Sequence, residues 1–266
     1  MTKNLINIDQ IPYGWARKDL TLGGPCQKGD KGQRVVKVQE WLTLNGQGLR
    51  IDGDFGLASE YAVKQFQAAQ KLSETGVVDG VTFTALATPM LRALTPLPAA
   101  SQTFNDLIVG YAKQHLAENP IEVGGQNRGP WVRLYMTGNQ GIDYPWCAGF
   151  VCFILRQAAD TLKKALPFPA TYSCDTLAAM AQERGLFISE KALALGKPGK
   201  KEMLPGSIFL DRRTSTDWTH TGLVIAFHDN VFETIEGNTN DSGGREGYEV
   251  CKRTRGYARK DFIKIT

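Results

Sequence analysis

The amino-acid sequence predicts an α+β fold, because segments with helical periodicity come first and segments with strand character follow. Before position 190, apolar residues recur at helical spacing in several segments separated by glycine-rich turns. Beyond Gly196, short runs rich in β-branched and apolar residues are separated by Gly, Asp and Asn. We therefore expect helices packed on an antiparallel sheet in the C-terminal part, preceded by a small all-α domain of three helices.

The composition is that of an ordinary globular protein. Of 266 residues, 42% are hydrophobic and 22% are charged, and the formal net charge is +4. This mild positive charge suits an anionic polymer such as a cell wall. The densest basic cluster, at 252–260, is interpreted as a solvated face because it lacks the density of a nucleic-acid footprint. We expect a monomer with no nucleic-acid partner.

The N-terminal residues MTKNLINIDQIPYGW contain no uninterrupted apolar run and no small-residue cleavage site, so no signal peptide is predicted. No stretch reaches the roughly 20 apolar residues that a membrane span requires. We expect synthesis in the cytoplasm without membrane insertion. The five cysteines lack regular spacing, which predicts free thiols rather than disulfides or a zinc site.

Residues 25–88 are predicted to form the helical domain, after an N-terminal segment at 1–24. Val35, Val38 and Leu42 define one amphipathic helix, and a second runs through YAVKQFQ. The glycine turns IDGDFG and GVVDG follow these two helices, which makes a weak internal repeat. Residues 89–101 carry three prolines without a regular apolar period, which predicts a linker.

These motifs resemble the three-helix peptidoglycan-binding domain that accompanies many wall hydrolases. The resemblance rests on GDKGQRVVKVQEWL, IDGDFG, YAVKQFQ and VDGVTFTAL. It implies that bacterial peptidoglycan is the partner. Asp52 and Asp54 also resemble part of a calcium loop, but the later ligands of such a loop are missing, so the turn is interpreted as structural.

Residues 102–266 are predicted to form the α+β domain. An amphipathic helix starts near Phe104, and a glycine-rich stretch at 121–142 leads to the segment DYPWCAGFVCFIL. A further helix is predicted from Thr176 to Arg184, where Gly185 ends it. Strands are predicted at 207–210, 221–227, 231–235 and 248–252.

Cys147 is the candidate nucleophile of this domain. It opens a run whose apolar residues recur at Phe150, Val151 and Ile154, so it should occupy the first turn of a buried helix. A helix N-terminus favours thiolate over thiol, because unpaired backbone N–H groups and a partial positive charge lie there. The competing interpretation is a small buried thiol, since cysteine is among the most buried residue types.

A thiolate nucleophile requires a base, and the base requires a group that holds its tautomer. Of the three histidines, His115 is expected to be a surface or packing residue and His228 lies in a predicted hairpin turn. His220 opens a strand and is the candidate base. Glu236 and Asn238 are two residues apart on the next strand, so an extended backbone directs both to one face. Either could accept the Nδ1 proton of the imidazole.

Three other side chains, two thiols and one serine, are alternative candidates for the nucleophile. Cys152 lies about 140° around the helix from Cys147, which directs it to the core. Cys174 has no histidine in its own segment. The NDSGG sequence around Ser242 resembles the nucleophile loop of chymotrypsin-like serine proteases, but the helical upstream half does not suit that fold, so a glycine-rich turn is predicted.

The order of Cys147, His220, Glu236 and Asn238, with PWCAGF, HTGLV and IEGN around them, resembles the CHAP domain. This is the family of cysteine, histidine-dependent amidohydrolases and peptidases, and the resemblance covers residues 102–262. It implies a papain-like fold in which Cys147 is the nucleophile and His220 the general base and then acid. It further implies that Glu236 is the orienting carboxylate and Asn238 a supporting polar group.

The resemblance also bears on ligands. Some members of the family bind calcium through aspartates before the cysteine, but Asp143 is the only acidic residue between Gly124 and Cys147, so no metal and no cofactor are expected. Tyr144 and Trp146, which precede the cysteine, are assigned to substrate binding.

Together, the two resemblances predict a peptidoglycan hydrolase similar to modular phage endolysins and bacterial wall hydrolases. It would act as a thiol amidase or endopeptidase on an amide bond in or next to the stem peptide, and the sequence leaves the bond open. It would reach the wall after holin-type release, lysis or delivery by a secretion machine. Two alternatives remain: a cytoplasmic amidase of a small thiol or polyamine conjugate, and a wall-binding protein with a relict site.

Overall fold

The computed structural model describes residues 5–240 and 247–265. The chain divides into two compact units. The first comprises the residues up to Thr95 together with Ile121–Gly141, and the second comprises Pro96–Pro120 and the residues from Ile142 onwards. Ser242, for which the sequence predicts a turn, lies outside the described residues.

Helices come first along the chain, and most of the strands follow them. The helices are α1 (Gly14–Leu20), α2 (Gln33–Leu44), α3 (Leu57–Ala69), α4 (Gly80–Leu94), α5 (Phe104–Leu116), α6 (Pro130–Tyr135), α7 (Cys147–Leu162), α8 (Cys174–Glu183) and α9 (Glu190–Ala194). The strands are β1 (Phe187–Ile188), β2 (Ile208–Thr214), β3 (Asp217–Phe227), β4 (Val231–Thr239), β5 (Glu249–Gly256) and β6 (Lys260–Ile263). Within the described part of the chain, no helix combines the length and the apolar character needed to cross a bilayer.

Two buried glutamines hold the glycine turns of the first unit. Gln39 on α2 accepts a hydrogen bond from the backbone N–H of Gly53 at 2.8 Å. Gln67 on α3 accepts one from Gly76 N–H at 3.0 Å and donates one to the Val77 carbonyl at 2.9 Å. The internal repeat therefore has a physical basis, because each helix supplies one amide side chain that satisfies the backbone of the turn after it.

Helix α4 extends further than the sequence predicts. Asp79 caps its start by accepting a hydrogen bond from Thr82 N–H at 2.7 Å. The helix then continues through Pro89 to Leu94, so the first half of the predicted linker at 89–101 is helical. Burial of an apolar stripe outweighs the backbone hydrogen bond that proline removes. The buried side chains of this stripe are Leu86, Met90, Leu91 and Leu94.

Residues 121–141 belong to the first unit, whereas the division predicted from the sequence places them in the C-terminal domain. Arg133 on α6 explains the difference. Its Nη2 atom is 2.7 Å from a carboxylate oxygen of Asp19 on α1 and 2.7 Å from one of Glu40 on α2. A largely buried guanidinium requires such partners. The sequence carries no local signal for these ion pairs, which join residues 114 and 93 positions apart.

The second unit is built on a sheet. Among the described residues it has six antiparallel strands in the order β1-β6-β2-β3-β4-β5. Helices α5 and α7 pack against each other and against β3 and β4. The predicted combination of helices with an antiparallel sheet is therefore confirmed. The sequence does not reveal β6, because all four of its residues are buried and it lacks polar and apolar alternation.

Replacing Gln67 with alanine should destabilise the first unit, because Gly76 N–H and the Val77 carbonyl lose their buried partner. A buried polar group left without a hydrogen bond costs about 1–3 kcal/mol. We expect the free energy of unfolding, measured by denaturant titration with circular dichroism, to fall by that amount.

Gln65→Ala is the matched control, because Gln65 lies on the same helix and is exposed. Its effect should stay below about 0.5 kcal/mol. Equal losses for the two substitutions would contradict the role assigned to Gln67.

Candidate active site

Cys147 is the first residue of α7, as its position in the sequence predicts. The Phe150 N–H donates to the Trp146 carbonyl at 2.9 Å, so the ladder of the helix begins there. The N–H groups of Cys147, Ala148 and Gly149 lie before this ladder and point towards the N-terminal end of the helix. Cys147 is 5% exposed. A nearly buried thiol is thus placed at the positive end of a helix dipole.

His220 lies on β3, close enough to Cys147 for each side chain to shift the pKa of the other. Its Nε2 atom is 2.8 Å from Oε2 of Glu236 on β4. The carboxylate therefore engages Nε2, which corrects the Nδ1 contact expected from the sequence, and Nδ1 is the ring nitrogen that Glu236 leaves available. One helix and two adjacent strands bring the three side chains together.

The carboxylate of Glu236 is fully buried and bonded through both oxygens. Oε1 accepts hydrogen bonds from Thr234 Oγ1 at 2.5 Å and from Arg255 Nε at 2.8 Å. Oε2 accepts from Arg255 Nη2 at 2.5 Å, in addition to His220. A buried charge is tolerated only when it is paired and hydrogen-bonded in this way. These contacts fix the carboxylate that orients the imidazole.

Gly222 provides the space that the Glu236 side chain occupies. A Cβ atom at Gly222 would lie 2.7 Å from Glu236 Cγ and 2.8 Å from Phe209 Cε1, so a larger residue would displace one of them. The Phe209 ring centroid is 6.0 Å from that of His220 and 5.6 Å from the Arg255 guanidinium carbon. The HTG sequence of β3 therefore supplies both the His220 imidazole and, at Gly222, the space for the Glu236 side chain that binds it.

The environment ionises both members of the Glu236–His220 pair. Burial raises the pKa of Glu236, but hydrogen bonds from Arg255 and His220 outweigh burial and bring it to about 2. Burial lowers the pKa of His220, but hydrogen bonds to Cys147 and Glu236 outweigh it and raise the pKa to about 9. At neutral pH the carboxylate is therefore negative and the imidazole is protonated.

The pKa of Cys147 is lowered well below its ordinary value. The largest contribution is a hydrogen bond from Cys174, whose Sγ is 3.8 Å away. Burial opposes the shift, and the hydrogen bond and charge of His220 add to it. The same bond to Cys147, together with burial, raises the pKa of Cys174, which therefore stays a thiol. The surroundings therefore favour the thiolate form of Cys147, the imidazolium form of His220 and the thiol form of Cys174.

The other candidate side chains have structural positions. Cys152 faces the core, as its helical spacing predicts, and burial raises its pKa to about 11. His115 is buried and its Nε2 is 2.8 Å from Gln157 Oε1, so it is a packing residue. His228 is exposed and its Nε2 is 3.3 Å from Glu233 Oε1.

Asn238 does not share the position of Glu236. Its φ of 53° is left-handed, and the pairing of β4 with β5 is irregular between Glu236 and Thr239. The alternation that would direct Glu236 and Asn238 to one face is broken there. Of the two candidates, Glu236 bonds the imidazole, while Asn238 Oδ1 is buried without a hydrogen-bond partner among the described residues.

The two aromatic residues before the cysteine differ in exposure. Trp146 is fully buried and lies against Gly237, where an added Cβ would be 2.8 Å from Trp146 Cζ3. Trp146 is therefore a core residue, which corrects its assignment to substrate binding. The sequence alone does not distinguish a tryptophan that packs in the core from one that binds substrate when it precedes a helix start. Tyr144 is 37% exposed, and its role in substrate binding stays a prediction.

Sequence reasoning missed Thr234, Arg255 and Cys174. The first two contact Glu236 across strand pairings that the sequence alone does not specify. For Cys174 a local signal was available. Ser173 caps α8 by accepting a hydrogen bond from Thr176 N–H at 3.2 Å, and serine before a helical run marks a helix start. That signal puts Cys174, like Cys147, in a first helical turn.

The aspartates of the IDGDFG turn are used by the turn itself. Asp52 Oδ1 accepts hydrogen bonds from Gln39 Nε2 at 2.9 Å and from Asp54 N–H at 3.0 Å. Over residues 5–240 and 247–265, no group of three or more His, Cys, Asp or Glu side chains is arranged to hold a metal ion.

A family model, described as a peptidoglycan binding domain, matches residues 31–86. This range contains α2, α3 and the first half of α4, with both glycine turns. The chain therefore carries a peptidoglycan-binding domain, and this confirms the assignment made from the sequence for that region. The matched range lies within the first unit and does not include the cysteine site.

Similarity to solved structures covers part of the chain, and one of these structures is that of a peptidoglycan-binding protein from Clostridioides difficile in complex with glutamine hydroxamate, with 33% identity and a TM-score of 0.24. The similarity covers 25% of this chain and 42% of that chain, so the match spans less than half of the solved protein. Among curated protein sequences, no match was found.

Alkylation by iodoacetamide should separate Cys147 from Cys152. Because the pKa of Cys147 is lowered well below its ordinary value, its labelling rate should reach its plateau at a lower pH than that of an ordinary thiol. The pKa of Cys152 is about 11, so its labelling should still be rising at pH 9. Peptide mass spectrometry after timed labelling at each pH measures both rates.

His220→Ala is the matched comparison, because it removes the cation beside Cys147 and leaves the helix start intact. In this variant the labelling rate of Cys147 at pH 6 should fall about tenfold or more. A Cys147 profile that rises only above pH 8 in the parent protein would show that the thiolate is not stabilised.

Proposed function

We propose that this protein is a peptidoglycan hydrolase that cleaves an amide bond through a cysteine thiolate. The observation that carries the proposal is that Cys147 lies beside the His220–Glu236 pair on a chain that also carries a peptidoglycan-binding domain. A thiolate paired with an imidazolium is the arrangement that activates a cysteine nucleophile. The wall-binding domain indicates which polymer that nucleophile meets.

The arrangement of the second unit supports a papain-like catalytic fold of the CHAP type. In this proposal the nucleophile begins the central helix α7, which packs on β3 and β4. The base comes from β3 and its orienting carboxylate from β4. Thr234 and Arg255 would act as positioning residues, because they hold the carboxylate and do not touch the thiol.

Acylation would begin with attack of the Cys147 thiolate on the amide carbonyl carbon. Negative charge then develops on the carbonyl oxygen, and the N–H groups at the start of α7 are free of the helical ladder to stabilise it. The His220 imidazolium donates its proton to the leaving amine nitrogen, so that the C–N bond breaks and a thioester forms.

Deacylation would use the neutral imidazole left by that transfer. His220 accepts a proton from water, the resulting hydroxide attacks the thioester carbonyl, and the Cys147 sulfur leaves as thiolate. Glu236 stays ionised throughout because its pKa is about 2, so it stabilises the imidazolium each time it forms. The cycle returns the thiolate–imidazolium pair.

The substrate class is an amide bond in or next to the stem peptide of peptidoglycan. Two reactions fit this chemistry: an amidase that separates the peptide from the glycan, and an endopeptidase that cuts the stem or cross-bridge. Mass spectrometry of fragments released from sacculi separates them. A new N-terminal L-alanine identifies an amidase, and a cleaved cross-bridge identifies an endopeptidase.

Cys147→Ala should abolish the hydrolysis of purified sacculi, measured by the loss of turbidity. Removal of a nucleophile from such a catalytic group lowers the rate by about a thousandfold or more. Cys152→Ala is the matched control, because Cys152 is a buried thiol on the same helix whose pKa is raised. Lysis by the Cys147 variant at the parental rate would exclude the proposed mechanism.

Wall binding should survive the loss of the nucleophile. The full-length Cys147→Ala protein should co-sediment with sacculi that it cannot dissolve, and it should stay in the supernatant with cellulose as the control polymer. The full chain is required, because residues 121–141 belong to the first unit and a fragment ending near position 95 would lack them. Equal pelleting with both polymers would argue against peptidoglycan as the specific partner.

A further inference from the structure

The start of α8 is fastened to the strand that carries the imidazole. Asp175 Oδ1 accepts a hydrogen bond from the backbone N–H of Trp218 on β3 at 2.7 Å. Trp218 is two residues before His220 on that strand. Because Cys174 precedes Asp175, this bond fixes the position of Cys174 relative to His220 and Cys147 without involving either thiol.

Two thiols therefore meet at the site. The Sγ atoms of Cys147 and Cys174 are 3.8 Å apart, and the residues are 5% and 8% exposed. Each residue begins a helix, α7 and α8 respectively. The separation suits a hydrogen bond between sulfur atoms and exceeds the roughly 2.05 Å of a disulfide.

We propose that Cys174 is a positioning residue that donates an S–H hydrogen bond to the Cys147 thiolate and keeps it ionised beside His220. The inference rests on the proposed role of Cys147 as the nucleophile. Cys174 acts through that sulfur atom.

The surrounding charges fix the direction of the hydrogen bond. The titratable groups around Cys147 in the described structure are His220 from β3, Cys174 from α8 and Cys152 from its own helix. His220 is the cation among them, so the negative charge settles on Cys147. The bond to Cys147, burial and the negative charges of Cys147 and Asp175 all raise the pKa of Cys174, which keeps its proton.

A neutral donor at this position would serve both halves of the reaction. Before acylation, it stabilises the thiolate form of Cys147. During deacylation, the Cys147 sulfur leaves as thiolate, and the same S–H group stabilises the leaving group as the C–S bond breaks. Because Cys174 is uncharged, it does not compete with the thiolate for the imidazolium.

The test is the pH dependence of Cys147 alkylation in Cys174→Ala and Cys174→Ser, with the protein kept reduced until labelling. In Cys174→Ala the half-maximal pH should rise by about one unit, which is a tenfold lower rate below the transition. Cys174→Ser should stay within about half a unit of the parent, because a hydroxyl also donates. An unchanged profile in the alanine variant would overturn the inference.

A serine variant that shifts as far as the alanine variant would also overturn it, because the effect would then come from packing. Circular dichroism and co-sedimentation with sacculi verify the fold of each variant. Should alanine leave a cavity that prevents folding, Cys174→Val fills the volume without a donor and replaces it. Labelling does not use peptidoglycan, so the two failures are distinguishable: a parent protein that shows the expected shift but does not hydrolyse sacculi would count against the proposed function, whereas an active parent with an unchanged alanine profile would count against the role of Cys174.

Discussion

The buried carboxylate of Glu236 is the constraint on which the candidate site depends. A charge without exposure must be paired and fully hydrogen-bonded, or the unit would not tolerate it. Thr234, Arg255 and His220 satisfy both oxygens, and their attraction outweighs the cost of burial. Since Glu236 engages Nε2 of the imidazole, the ring can present only Nδ1 to Cys147. The choice of the ring nitrogen that faces Cys147 therefore follows from the hydrogen bonds that the buried Glu236 carboxylate requires.

That constraint links three neighbouring strands. The carboxylate is on β4, its imidazole partner on β3 and its guanidinium partner on β5, so all three must keep their register. A shift of one residue would turn each of these side chains to the opposite face of the sheet. Gly222 adds a steric condition, because a Cβ atom at that position would lie only 2.7 Å from Glu236 Cγ. The geometry of the site thus requires the same strand register that the sheet uses.

The sequence predicts the parts of this site that have local signals and misses those that depend on long-range contacts. A helix start, a strand and an acidic residue on the next strand are visible in the residues around Cys147, His220 and Glu236, although β3 begins at Asp217 and not at His220 as the sequence predicts. The expectation that Asn238 and Glu236 point to the same face requires an extended backbone, and the left-handed φ at Asn238 shows that the backbone is not extended there. Arg255 joins the site from 19 positions away and Cys174 from 27, and hydrophobic periodicity contains no information about such contacts. The assignment of residues 121–141 fails for the same reason.

The polar groups of the site form a series in which the charge alternates. Arg255 is positive, Glu236 negative, the His220 imidazolium positive and the Cys147 thiolate negative, so the series has no net charge. In a poorly solvated interior this alternation matters, because each ion is stabilised by its neighbour and no charge is left unpaired. Cys147 ends the series and has a cation on one side only. A neutral S–H group can donate a hydrogen bond to the other side of that thiolate without changing the net charge of the series. A second cation there would compete with the His220 imidazolium for the negative charge of Cys147. The chemistry of a buried thiolate thus accounts for a second cysteine in this position.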